Sequence, residues 1–455
     1  MEMYRLRSAE RLLREYAELE PQSIFLASSD EFNDPLEGNY SLKFQGDTVV
    51  WHNLFKHFLL CMDLSFTIVM VPDGDIEKLN FPIHVTESGL KTDLHKQRFS
   101  KIKTRFFDHK EIKLLIGYLS SRTTPLTKEL LFPIFSLITD FALESITFSL
   151  DEFKMLPPGN LPNLLQMTMK TKKEMIRSFI PAIKKLEEPL SNLVINELGR
   201  TIHETQLNMY SSSETIADSR NLGNFIFNFP ERYLQNIQHL VYHNWFAASF
   251  MGCFPERMDL WSHYADSHKG ACLIFRTKSN STEENFTLEF ERGPNHQLNF
   301  EKVEYINSKI EIDFFKQIWT LNVKNLNTEW YTGLNGEKSK LWIENPIKEE
   351  ERKLHWNIFS KIKTQKTIDW RQEAEYRICI DASFGDPPLR TFKYEFESLE
   401  GIVFGINTSL NDKISIINIV REKCRVANRE KFSFYQARYC HSEEKIVKDK
   451  LNIHL

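Results

Sequence analysis

Several common signatures are missing from this chain. Its six cysteines are Cys61, Cys253, Cys272, Cys379, Cys424 and Cys440, and none are spaced as C-x-x-C. That removes zinc-ribbon and thioredoxin-type chemistry. Glycine is sparse, with 16 in 455 residues. There is no P-loop, no glycine-rich dinucleotide fingerprint and no G-x-S-x-G elbow. Charge of one sign is lacking too. The net charge is −4, so no global field calls for a nucleic acid or an anionic membrane, although a local basic patch leaves nucleic acid open. Long charge-free apolar runs are absent. Residues 58–71 contain Asp63, and residues 130–150 carry Pro133, Asp140 and Glu144. A membrane span needs roughly 20 nearly uncharged residues, so both stretches are expected to be buried helices, with no membrane partner. Met1 is not followed by a signal-like segment, and several cysteines sit in apolar runs. A reducing, cytoplasmic location is therefore expected.

What is present is a chain long enough for about two to four domains. It is rich in phenylalanine, with 35. Residues 3–7 alternate like a strand, and Ser8 is placed to cap a helix carrying Leu12, Leu13, Tyr16 and Leu19. Pro21 ends that helix, and 24–27 reads as a strand. The turn F-N-D-P-L-E follows, with Asp34 held extended by Pro35. From 49 to 236 the apolar spacing is helical. Pro157-Pro158-Gly159 marks a break, and Ser211-Ser212-Ser213 a loop. After 237 short strands return. They are expected at 248–254, 271–275, 373–380, 401–406 and 431–439, with helices at 259–266 and 412–425. Gly270 is expected to take a left-handed turn. The organisation expected is an N-terminal core part at 1–48, a mainly helical insertion at 49–236, a C-terminal core part at 237–441 and a fraying charged tail at 442–455. The fold class is α+β, with a mixed or antiparallel sheet.

Two stretches carry most of the chemistry-bearing residues. The first is M-D-L-W-S-H-Y-A-D-S-H-K-G-A-C-L-I-F at 258–275. On a helix Trp261, Tyr264 and His268 share a face, and His263 lies near Asp266. A histidine oriented by a carboxylate suits acid–base work, while a helix end with packed aromatics explains the same residues without function. The spacing fits no standard zinc signature, so no metal is expected. The second stretch is D-W-R-Q-E-A-E-Y-R-I-C-I at 369–380. On a strand Glu373, Glu375, Arg377 and Cys379 share one face, with alternate side chains about 7 Å apart. Such carboxylates can hold a ribose or face an oxocarbenium-like centre. The plain alternative is an exposed strand with a surface ion pair.

The ordered motifs resemble a bacterial family known as domain of unknown function 2971. They run Tyr4-Arg5-Leu6-Arg7, then Phe25 to Glu37 with F-N-D-P-L-E, then Cys253-Phe254 and W-S-H-Y-A-D-S-H-K-G-A-C. Lys366, Trp370, Glu373, Glu375, Tyr376 and Arg377 follow, and Ile402-Val403-Phe404-Gly405-Ile406-Asn407-Thr408-Ser409 closes the set. Pro255 stands where the pattern has serine, and Leu260 where it has methionine. A more distant likeness is to ADP-ribosyltransferases, which order an Arg or His, a Ser or Tyr, and a Glu within E-x-E. That likeness implies NAD as co-substrate, Arg5 on the pyrophosphate or ribose, Ser28 supporting the nicotinamide ribose, and Glu375 as catalytic carboxylate beside Glu373. His263 and Tyr264 join the expected catalytic set. Asn33, Asp34, Trp261, His268, Lys269 and Arg377 join the expected binding set. The expectation is an enzyme that consumes NAD or transfers ADP-ribose in a toxin or antiviral-effector role, with a nucleotide-type ligand and a protein or macromolecular target met through the helical insertion. A nucleotide-sensing or partner-binding module without turnover and a metal-dependent nuclease or hydrolase remain the alternatives.

Overall fold

Ser8 sits where strand gives way to helix. Its hydroxyl accepts from the Arg11 amide and so satisfies one of the helix's free N–H groups. Before it runs strand β1 (Glu2–Arg7), after it the short helix α1 (Ala9–Leu13). The computed structural model describes residues 1–34, 37–38, 40–70, 81–155, 161–212, 222–280, 283–290, 295–344, 349–382 and 390–454. Within them the chain divides into a sheet unit (1–39, 243–309 and 357–455) and a helical unit (40–242 and 310–356). Together they make an α+β protein.

The sheet unit continues with β2 (Ser23–Phe25), β3 (Ala27–Ser28), β4 (Trp245–Met251), helix α2 (Met258–Tyr264), β5 (Ala271–Arg276), β6 (Glu301–Lys302) and β7 (Glu304–Ile306). It then has β8 (Gln365–Thr367), β9 (Glu375–Asp381), β10 (Thr391–Tyr394), β11 (Leu399–Phe404), helix α3 (Leu410–Val426), β12 (Ser433–Cys440) and β13 (Lys445–Leu451). The main sheet is ordered β6-β9-β4-β1-β5-β11-β12-β13, with β3 also beside β4. It is mixed, because β11 and β12 run parallel while the other pairs are antiparallel. Period-2 alternation builds a core on each face. Met3, Leu273 and Ile402 go to one face, under Ile416 and Val420 of α3. Tyr4, Ile274 and Val403 go to the other, under Leu260 and Trp261 of α2.

One irregularity positions the site. β1 pairs with β5 from Glu2 through Arg7, and β4 pairs with β9 from Trp245 through Met251. Between β1 and β4 themselves a single pair is in register, Tyr4 with Met251. Beyond it the strands part, and β3 takes the edge of β4 at Phe246 and Ala247. The sheet is therefore split at its centre.

Several expectations need correction. The strand expected at 248–254 is β4, set three residues earlier. The helix expected at 259–266 stops at Tyr264, because Asp266, Ser267 and His268 all take positive φ (47°, 51° and 68°). Those residues make the left-handed turn expected of Gly270. Gly270 is required for another reason: a Cβ there would lie 2.0 Å from the Arg7 carbonyl oxygen. Gly270→Ala is expected to cost about 1–3 kcal/mol by overpacking, read as a lowered urea midpoint. The tail does not fray from 442, since β13 pairs with β12 from Lys445 to Leu451. Pro157, Pro158, Gly159 and Ser213 lie outside the described residues, as do Pro35 and Leu36 of the N-terminal turn. Ser211 and Ser212 end a helix (Glu188–Ser212) instead of forming a loop.

The helical unit is built round Thr48–Val69, which is buried on nearly every side and capped by the Asp47 side chain. Residues 310–356 belong to this unit, not to the C-terminal core. Phe314 and Phe315 pack on Phe44 and Trp51, and Asn53 donates to the Trp330 carbonyl at 2.9 Å. Two buried charged groups on the central helix are ion-paired, Lys56 with Glu329 at 3.2 Å and Asp63 with Arg98 at 2.6 Å. This is what burial of charge requires. Lys128–Glu152 is the one helix among the described residues long and apolar enough to cross a membrane, and 83% of its apolar 18-residue window is buried.

Candidate functional site in the split sheet

The opening between β1 and β4 is a cavity of about 750 Å³. Arg5 and Arg7 line it from β1, Ala247 through Met251 from β4, and Ser262, His263, Tyr264 and Asp266 from α2 and the turn after it. Asn33, Glu37, Lys366, Glu373 and Glu375 complete its acidic side.

That side is assembled from four segments. The parallel pairing of β7 with β8 sets Tyr305 opposite Lys366. A 3₁₀ turn (Ile368–Glu373) then leads to Ala374, whose φ of 45° kinks the chain into β9. Glu373 is thus not on the strand, as expected, but is swung beside Glu375 by that left-handed residue. Lys366 Nζ lies 2.7 Å from Glu373, 3.3 Å from Glu37 and 3.3 Å from Glu375. Arg377 Nε donates to Glu375 at 2.8 Å, and its Nη2 donates to both Glu375 and Glu37. Its Nη1 donates to the Lys363 carbonyl at 2.7 Å. The Tyr264 hydroxyl donates to Glu373 and meets the Asn33 side chain. The Tyr305 hydroxyl accepts from the Glu375 amide at 2.9 Å. The side chains of Lys366, Arg377 and the three glutamates are 0–5% exposed. A solvated surface ion pair is therefore ruled out for this face.

Burial makes these charges costly, and the partners decide which carboxylate keeps its charge. Burial alone would raise Glu375, but Arg377 and Lys366 outweigh it and hold the group at about 2. Burial pushes Glu37 up to about 7 despite Arg377 and Lys366. Glu373 is also raised, first by burial, with Lys366 opposing. Burial raises the Tyr264 phenol, so it stays a hydrogen-bond donor.

Arg5 supplies the opposite sign. It is 4% exposed, its Nη2 donates to the Phe25 carbonyl at 3.3 Å, and its guanidinium lies 5.2 Å from the Phe250 ring. Among the described residues Nε has no hydrogen-bond partner and no carboxylate lies within ion-pair distance of Arg5. A buried cation without a counter-charge facing a cavity is suited to an anionic ligand.

The structure brings Arg5, Asn33, His263, Tyr264, Glu373 and Glu375 to one cavity, with Arg377 directly behind. It does not bring the others. Ser28 caps the next turn, its amide and hydroxyl both donating to Glu31. Asp34 is buried and accepts from Thr367 at 3.2 Å, tying its turn to β8. Trp261 is fully buried and donates to the Pro255 carbonyl at 2.8 Å. His268 lies parallel to Trp261 at 6.5 Å, and its carbonyl accepts from the Asn407 amide. Lys269 is exposed away from the cavity. The conspicuous H-K-G turn therefore serves packing: Gly405, Asn407 and Thr408 clasp it through His268 and Gly270. His263 is exposed on the cavity wall, and among the described residues no carboxylate orients it. Nor, among those residues, does any group of three His, Cys, Asp or Glu have the geometry of a metal site.

Sequence reasoning missed Glu37, Lys366, Ser249 and Tyr305 as site residues. Glu37 and Lys366 were visible as motif positions but had no assigned partner. Ser249 is exposed between buried Ala248 and Phe250, pairs with Arg377 across the strands and hydrogen-bonds Glu375.

Fold and site together define an α+β protein whose central sheet opens into a cleft, acidic on one wall and with, on another, an arginine that has no carboxylate partner among the described residues. Residues 260–378, from α2 to β9, match the model of a family described as protein of unknown function (DUF2971). The match includes Tyr264, Lys366, Glu373, Glu375 and Arg377, the same stretch that carries the central resemblance in the sequence. No curated protein and no solved structure matches the chain.

Proposed function

We propose that the cleft binds an NAD-type dinucleotide and that the protein cleaves it at the nicotinamide ribose, transferring ADP-ribose to an acceptor or to water. The observation that carries this is the pairing, in one cavity, of a buried arginine with no carboxylate partner among the described residues and two adjacent buried carboxylates. The volume suits a ligand of this size. Arg5 addresses the diphosphate. Glu373 and Glu375 face the ribose, where positive charge develops as the C1′–N bond breaks and its electron pair leaves with nicotinamide. The acceptor's oxygen or nitrogen then bonds C1′, and its proton passes to ionised Glu373. Of the two carboxylates Glu373 is the less heavily bonded: it takes one bond on each oxygen, from Tyr264 and Lys366, against three from Arg377 and Lys366 on Glu375.

The test is nicotinamide release from NAD by the purified full chain. Glu373→Gln and Glu375→Gln are each expected to lower release by about 10²-fold or more. Arg5→Ala is expected to weaken ADP-ribose binding by about tenfold or more, the scale of a lost charge-assisted bond. No release and no ADP-ribose binding by the wild type would sink the proposal. The saturation of Glu375 by two cations favours a second reading, a nucleotide-binding module without turnover. Under it ADP-ribose binds, nothing is released, and Glu375→Gln alters affinity alone.

A further inference from the structure

The acidic wall holds three carboxylates against two cations. Glu37, Glu373 and Glu375 all lie within 3.3 Å of Lys366 Nζ, and Arg377 meets two of them. With both cations charged and the cluster nearly sealed from solvent, a third ionised carboxylate is unbalanced, and like charges this close favour retaining a proton. Glu375 does not take it: it has Arg377 on both oxygens, Lys366, and the Ser249 hydroxyl. The remaining seats are Glu37, which faces Arg377, Lys366 and Glu375, and Glu373, which faces Lys366, Tyr264, Glu375 and Tyr305. Asp34 accepts from the Thr367 hydroxyl at 3.2 Å.

We propose that Glu37 and Glu373 share one proton across the Lys366 ammonium, so that Glu37 is a positioning residue governing whether Glu373 faces the cavity as acid or carboxylate. This concerns the cleft used in the dinucleotide reading and deepens it, but it does not depend on which ligand binds there. The upward displacement of both Glu37 and Glu373 accords with a shared proton. Removing Glu37 leaves two carboxylates facing two cations, and the proton is no longer needed.

Infrared difference titration of the ligand-free full chain tests this, reading the protonated-carboxyl band from pH 5 to 9. The wild type is expected to lose a band with a midpoint near neutrality. Glu37→Gln and Glu373→Gln are each expected to lack that band at pH 6, and Glu37→Asp to restore it. The proposal is overturned if the wild type shows no protonated carboxyl above pH 6, if the band persists unchanged in Glu37→Gln, or if it persists in Glu373→Gln alone, which would put the proton on Glu37 without sharing. Should Glu37→Gln fail to fold, the wild-type titration and Glu373→Gln still decide. Because no ligand is present, failure here is distinct from failure to find NAD chemistry.

Discussion

Arg377→Met is expected to destabilise the protein by about 3–5 kcal/mol, the scale found when one partner of a buried charge pair is removed. Arg377 is wholly buried, binds Glu375 and Glu37, and satisfies the Lys363 carbonyl. Its loss leaves three buried carboxylates, Glu37, Glu373 and Glu375, sharing one lysine. Arg377→Lys should recover little, because an ammonium cannot reproduce the planar fork that reaches Glu375, Glu37 and a carbonyl together. Urea denaturation of the full chain checks both variants. A loss under about 1 kcal/mol for Arg377→Met would show that the cluster is hydrated and that the buried network does not exist in solution. Glu375→Gln is a milder companion: it keeps the shape and removes charge, so it separates the electrostatics from the packing.

The second large effect is in pH dependence. A carboxyl raised to about 7 in the folded state binds its proton more tightly folded than unfolded. Between the ordinary carboxylate range and about pH 7 the folded protein therefore holds an extra proton, and unfolding free energy declines as pH rises through that window. For Glu37 the displacement corresponds to about 3 kcal/mol. Glu375, held at about 2, acts in the other direction: its contribution is present above the ordinary carboxylate range and is lost as pH falls toward 2. His52 and His57, pulled down by burial to about 4, also lose stability on acidification, below about pH 6.5. Raw melting curves mix these slopes, so the measurement is the difference between wild type and Glu37→Gln. Relative to wild type, Glu37→Gln is expected to gain about 3 kcal/mol between pH 5 and pH 8. A difference that stays flat across that range would remove Glu37 from the titrating set.

Much of the local structure was legible in the chain. Alternation at 3–7 and the unbroken apolar run at 271–275 both suit strands, the second because both of its faces enter a core. The Ser8 hydroxyl dictates the start of α1. Asp63, Asp140 and Glu144 marked 58–71 and 130–150 as packed helices instead of spans. Pattern places residues 310–356 with the C-terminal core, because it acts locally and says nothing about which core Phe314 and Trp330 enter. The W-S-H-Y-A-D-S-H-K-G stretch misled in part. Its unusual composition drew attention to Trp261, His268 and Lys269, yet Trp261 is buried on the inner face of α2 and the turn through Asp266 to His268 leaves His268 in packing and Lys269 in solvent, while Ser262, His263, Tyr264 and Asp266 reach the cavity.

The sequence alone determined the E-A-E-Y-R spacing, the apolar face that seats β9, and the presence of Arg5 on the first strand. Whether those charges are surface or site was a tertiary matter. Ala374 adopts a left-handed backbone that no propensity demands, and that kink brings Glu373 next to Glu375. Lys366 reaches them through the β7–β8 pairing and Glu37 from the distant N-terminal segment. The split between β1 and β4 exists because β3 takes over the β4 edge, a strand competition that spans more than 200 residues of chain. Period and propensity act over a few residues. Charge balance and strand competition are settled only when distant segments meet, and in this protein they created the cleft and set which of its carboxylates keep their protons.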